Sequence, residues 1–120
     1  MGFDGRAPRV PQSLAAEQAT LGACLIEHGA FLRAQEIVGP DDFYRALNGK
    51  VFCAMQHVLR AGEEIKPATV IEELERLGQL KECGGAHYIF ALVEACPSSA
   101  DVGVFARVVR EKSVQRRTAS

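Results

Sequence analysis

Three cysteine–histidine pairs, Cys24–His28, Cys53–His57 and Cys83–His87, share the spacing CxxxH. On a helix that interval puts both side chains on one face, one turn apart, where thiolate and imidazole form a zinc-compatible set. A closed site needs two such pairs to converge within a few ångströms. Cys24 lies beside an apolar stripe, Cys53 is set off from the main stripe of its helix, and Cys83 precedes a Gly84-Gly85 break that spoils the geometry for His87. The residues between the pairs do not repeat, so the recurrence is not a repeat architecture. Core cysteines and helix-terminal or exposed histidines are the expectation, with no metal. A small metal-binding enzyme or regulatory domain using these pairs is the alternative.

Other chemistry is scarce. There is no GxxxxGK[ST] phosphate loop, no GxGxxG and no GxSxG, so no catalytic or cofactor-binding residue is assigned. Near the carboxyl end Arg107, Arg110, Lys112, Arg116 and Arg117 are opposed only by Glu111. They are candidates for a weak contact with single-stranded nucleic acid, or else a solvated helix end whose cations complement the macrodipole. The second reading is preferred. The 14 basic and 15 acidic side chains leave a net charge of -1, whereas a domain that grips DNA unaided carries a clear positive excess.

The four cysteines include no CxxC, and MGFDGRAPRVPQ has no hydrophobic signal core, which points to reduced thiols in a cytoplasmic protein. Arg6 stands where a myristoylation signal requires Ser or Thr. No apolar run approaches the roughly 18 residues needed to cross a bilayer, so no membrane association is expected.

The elements that must position these residues read as helices throughout. With 120 residues, 48% of them apolar and mostly Ala, Leu and Val, the chain can build one all-α core of about six helices. Residues 1–12 read as a flexible arm. Ser13 caps a helix carrying Leu14, Leu21 and Leu25, where Gly22 admits another helix closely and Gly29 is the expected stop. A short helix over 30–38 and a capped turn at Asp41-Asp42-Phe43-Tyr44 follow, the turn dropping both rings onto the core. Helices over 45–61 and 67–77 end at Gly62 and Gly78, with Pro67 opening the second.

Residues 13–83 thus form a compact helical bundle, and 84–117 an antiparallel helical hairpin, with helices over 86–95 and from 100 onward joined at Pro97. The hairpin carries apolar residues on more than one side. Ile89, Leu92, Val93, Val104, Phe105 and Val108 are therefore expected at a contact between subunits. Residues 118–120 lack a stop signal and read as the truncated start of a linker.

Several segments in order carry a family likeness: Pro11-Gln12, Ala16-Glu17-Gln18, Leu21-Gly22-Ala23, Asp42-Phe43-Tyr44-Arg45, Val51-Phe52 and Arg60-Ala61-Gly62-Glu63. It resumes at Leu77-Gly78-Gln79-Leu80, Gly84-Gly85-Ala86-His87-Tyr88, Pro97-Ser98-Ser99-Ala100 and the stretch from Phe105 to Lys112. Together they resemble the amino-terminal domain of bacterial replicative DNA helicases of the DnaB type. The resemblance implies a scaffold domain whose hairpins pair subunits into a trimer-of-dimers collar on a hexameric motor. It also implies docking of the primase carboxyl-terminal domain and a helicase loader. ATP and magnesium would serve a RecA-like domain outside these 120 residues, and DNA would be contacted mainly through the parent hexamer. Two residues depart from the pattern. Lys66 replaces an acidic residue ahead of the fourth helix, a lost cap costing about 1 kcal/mol. Asn48 stands where a histidine is common. Both are expected at the surface.

Overall fold

The computed structural model describes residues 10–119, so most of the expected amino-terminal arm and Ser120 lie outside the described residues. Six α-helices carry the fold: α1 (Leu14–Ile26), α2 (His28–Ala34), α3 (Ala46–Arg60), α4 (Pro67–Arg76), α5 (Gly85–Glu94) and α6 (Val102–Ala119). Two 3-10 turns, Pro40–Asp42 and Ser99–Asp101, precede α3 and α6, and no strand occurs among the described residues. The all-α class and the number of helices match the sequence reading.

Local chemistry sets most boundaries. The Ser13 side chain accepts from the Ala16 N–H at 3.2 Å and so starts α1. Pro67 occupies the first turn of α4, where its missing N–H leaves no bond unmade. Gly62 and Gly78 take positive φ after α3 and α4, letting the following N–H reach back: Glu63 to Val58 O at 3.1 Å, Gln79 to Leu74 O at 2.8 Å. Gly29 does not act this way. Helix α1 already ends at Ile26 through an extended Glu27, and Gly29 lies inside α2. The α1–α2 break therefore comes from a kink at Glu27, which no glycine marks.

Helix α1 is the hub, packing against α2, α3, α5 and α6. Its Ala, Gly and Cys side chains are small enough for that, and every residue from Ala19 to Leu25 is buried, with Leu21, Ala23 and Cys24 fully inaccessible. Phe31, Phe43 and Phe52 build an aromatic cluster beside it, with centroids 4.9 and 5.3 Å from Phe52 to the other two. Of the two rings in the 41–44 turn, only Phe43 enters the core; Tyr44 stays exposed.

The carboxyl-terminal third departs from the expected hairpin. The chain bends by 89° between α5 and α6, and both helices pack on α1. Small residues on α1 offer each helix a better partner than its sequence neighbour, so residues 85–119 close the core instead of standing apart. Gly22 shows how tightly: a Cβ there would lie 2.0 Å from the Leu92 carbonyl oxygen of α5. Helix α6 also continues through Thr118 to Ala119, where a linker was expected.

Candidate protein-interaction surface on helices α5 and α6

The six residues expected at a subunit contact divide by depth. Ile89 and Leu92 are sealed in the intramolecular core, as are Val102, Ala106 and Val109 of α6. This corrects the expectation for Ile89 and Leu92: the α1–α5 crossing consumes their face. Val93 and Val108 are partly buried against the same core, and Phe105 is half-buried. Val104 remains 54% exposed, and so does Phe90 at 55%, an apolar ring the sequence reading missed. Phe90 follows Ile89 directly, so on a helix it points about 100° away from the core stripe. An aromatic residue just off a complete apolar stripe was the available signal.

The basic residues of α6 are mostly committed to the chain itself. Arg110, Ser113 and Arg117 recur at helical spacing and share a face, and all three reach one oxygen of Asp42. Arg110 Nη1 and Arg117 Nη2 donate to Asp42 Oδ1 at 3.0 Å each, and Ser113 Oγ donates at 2.7 Å. The second carboxylate oxygen accepts from the Gly39 N–H at 2.8 Å. Burial pushes the Asp42 carboxyl up, but the Gly39 and Ser113 hydrogen bonds and the Arg110 guanidinium outweigh it and hold the group below the usual range. Arg116 donates to the main-chain oxygens of Asp42 at 2.7 Å and Pro11 at 2.8 Å, and its guanidinium stands 5.4 Å from the Tyr44 ring centroid. Of the five candidate nucleic-acid contacts, then, Arg110, Arg116 and Arg117 clasp the Pro40–Asp42 turn. Arg107 is exposed and Lys112 half-buried.

A second polar cluster is fully inside. Glu17 is 1% exposed, and its carboxylate accepts from the Tyr44 N–H at 2.6 Å, the Arg45 N–H at 3.4 Å and the Asn48 side-chain amide at 2.9 Å. It thereby satisfies donors at the start of α3, where the helix's own cap residue, Arg45, contributes no side-chain bond. Asn48 Oδ1 in turn accepts from the Tyr88 hydroxyl at 2.6 Å. Burial is the main influence raising the Tyr88 phenol above its ordinary value, which keeps it a donor. Asn48 is thus buried, contrary to the expected surface position, because it links α1, α3 and α5. Lys66 does lie at the surface, and the missing acidic cap is partly replaced by Thr69, whose hydroxyl accepts from the Lys66 N–H at 3.1 Å.

The CxxxH pairs stay apart, and no group of three or more His, Cys, Asp or Glu that could hold a metal occurs among the described residues. His28 Nδ1 accepts from the Ile65 N–H at 2.9 Å, tying α2 to the segment before α4. Cys83 is buried, with its thiol 3.8 Å from Leu47 O. No single helix among the described residues is long and apolar enough to cross a membrane.

The domain is compact and helical, its polar networks join its own elements, and large apolar side chains remain exposed on α5 and α6. The DnaB-like helicase N terminal domain family matches residues 9–111, and the chain belongs to that family. It is 47% identical over 115 residues to the replicative DNA helicase DnaB of Geobacillus stearothermophilus, covering 96% of this chain and 25% of that one. Identity to the replicative DNA helicase DnaC of Bacillus subtilis is 38% over 107 residues, covering 89% of this chain and 24% of that one. The chain thus spans about a quarter of the length of these curated relatives. A solved structure, the N-terminal domain of DnaB helicase from Mycobacterium tuberculosis, superposes with a TM-score of 0.90 at 38% identity, covering 92% of this chain and 80% of that one.

Proposed function

We propose that this domain is the protein-interaction scaffold of a hexameric replicative DNA helicase. It pairs with a second copy, and the pairs assemble as a trimer of dimers into a collar that receives the primase carboxyl-terminal domain and a helicase loader. ATP, magnesium and unwinding belong in this reading to a RecA-like domain outside the 120 residues, and DNA is engaged mainly through the parent hexamer. The fragment itself is not an enzyme.

The observation that carries the pairing is the exposure of Phe90 and Val104, each over half accessible on a helix whose opposite face is core. Large apolar side chains in that position gain from burial against a partner. Phe105, Val108 and Val93 lie at intermediate depth on the same two helices and are included in the candidate contact; Ile89 and Leu92 form the core side of α5.

Sedimentation of the domain over a wide concentration range tests this reading, together with Phe90→Asp, Val104→Asp and Phe105→Asp. Self-association of the unmodified domain, abolished by at least one of the exposed-site changes with helicity intact, is the expected result. A strictly monomeric domain, or three variants that associate as the unmodified chain does, overturns it.

A further inference from the structure

One of the CxxxH pairs is assembled in a way that the scaffold role does not use. Cys53 and His57 lie on the same face of α3, with Cys53 Sγ 3.7 Å from His57 Nε2. The other ring nitrogen, Nδ1, stands 3.0 Å from Glu73 Oε2 on α4. An ionised carboxylate can only accept, so this contact places the imidazole proton on Nδ1 and leaves the Nε2 lone pair facing the thiol. Glu73 is itself held by Arg76, whose Nε donates to Oε1 at 3.0 Å. Nucleophile, base and orienting carboxylate are therefore in sequence, the arrangement that activates a thiol.

The thiol is also reachable. Cys53 is half-buried and lines an open groove of about 430 Å³ with Pro40, Phe43, Tyr44, Gly49 and Lys50. The other three cysteines differ. Cys24 and Cys83 are sealed in the core, and Cys96, just past α5, does not line that groove.

We propose that Cys53 is an activated thiol, served by His57 and oriented through Glu73, that reacts with small hydroperoxides entering the groove between the Pro40–Asp42 turn and α3. His57 Nε2 takes the Sγ proton. The thiolate attacks one peroxide oxygen, forming an S–O bond as the O–O bond breaks, so that sulfur loses two electrons and the peroxide gains them. The departing hydroxide, or alkoxide from an organic hydroperoxide, takes the proton back from His57 and leaves as water or an alcohol, and Cys53 becomes a sulfenic acid. His57 is the base and Glu73 the positioning residue.

The test treats the 120-residue chain with hydrogen peroxide at neutral pH, traps sulfenic acid with dimedone and reads each cysteine by mass spectrometry. The expected result is labelling at Cys53 about tenfold faster than at Cys96, the other half-buried thiol. His57→Gln should lower the Cys53 rate by about tenfold and Glu73→Gln by a smaller factor, with circular dichroism unchanged. Equal labelling of Cys53 and Cys96 overturns the proposal, as does a folded His57→Gln variant that reacts at the original rate. Should either variant fail to fold, the Cys53-to-Cys96 ratio in the unmodified chain decides alone.

Discussion

Gly22 and Leu92 meet where α1 crosses α5: a side-chain carbon on Gly22 would sit 2.0 Å from the Leu92 carbonyl oxygen and 3.0 Å from Cys96 Cβ. Because the first obstacle is backbone, it cannot be relieved by turning a rotamer. Gly22→Ala should therefore push the helices apart and cost about 2 kcal/mol, in spite of the better helix propensity of alanine. Urea denaturation would measure it; a variant as stable as the unmodified chain would mean that the crossing is looser than this spacing implies.

Glu17 offers a test of the buried polar network. Glu17→Gln removes the charge and turns an amide NH2 toward donors from residues 44, 45 and 48. The loss should be about 2–3 kcal/mol. Asn48→Ala takes one donor from the Glu17 carboxylate and the Asn48 acceptor from the Tyr88 hydroxyl, so the two substitutions combined should cost clearly less than the sum of their separate effects. Strict additivity in a double-mutant cycle would show that the network is not coupled.

The Asp42 clasp predicts a pH dependence with a definite sign. Its carboxyl titrates lower in the folded chain than in the unfolded one, so the unfolded state binds the proton more readily. The stabilisation is complete above the unfolded carboxylate range, near neutral pH, and is lost as pH falls through the folded value. Asp42→Asn should destabilise the domain at neutral pH and flatten the acid limb of its stability profile, read by thermal melts in a pH series. An acid limb as steep in Asp42→Asn as in the unmodified chain would assign that dependence to other carboxylates.

At the start of α4, Lys66→Asp should stabilise. An aspartate there accepts from the first-turn N–H groups that Thr69, through its bond with the Lys66 N–H, leaves unserved. The gain should be about 0.5–1 kcal/mol, visible as a higher urea midpoint with unchanged slope.

What could be read from the chain and what could not divide by range. The starts of α1 and α4, and the ends of α3 and α4, depend on Ser13, Pro67, Gly62 and Gly78, whose effects reach only a few residues. Gly22 beside a leucine stripe gave away a close crossing, though not which helix fills it. The placement of α5 and α6 was misread because a Pro-containing turn resembles a hairpin connection, while the partner that bends the chain by 89° is α1, far away in sequence. Glu17 and the arginines of α6 carry no local sign that they are engaged, since Asn48 lies 31 residues from Glu17 and Asp42 lies 68 from Arg110. The candidate contact suffered likewise: Ile89 looks as available as Phe90 until α1 covers it.

The Glu17 carboxylate has a further meaning for a chain made one residue at a time. Its amide donor on Asn48 is synthesised 31 residues later, and Tyr88, which completes the network, 40 residues after that. Until then the charge is better left in water, and α1 has neither α5 for Gly22 to meet nor α6 to cover its other side. Helix α1 is thus made before the described helices that complete its surroundings. Its apolar faces toward α5 and α6 stay uncovered until those two helices have been made.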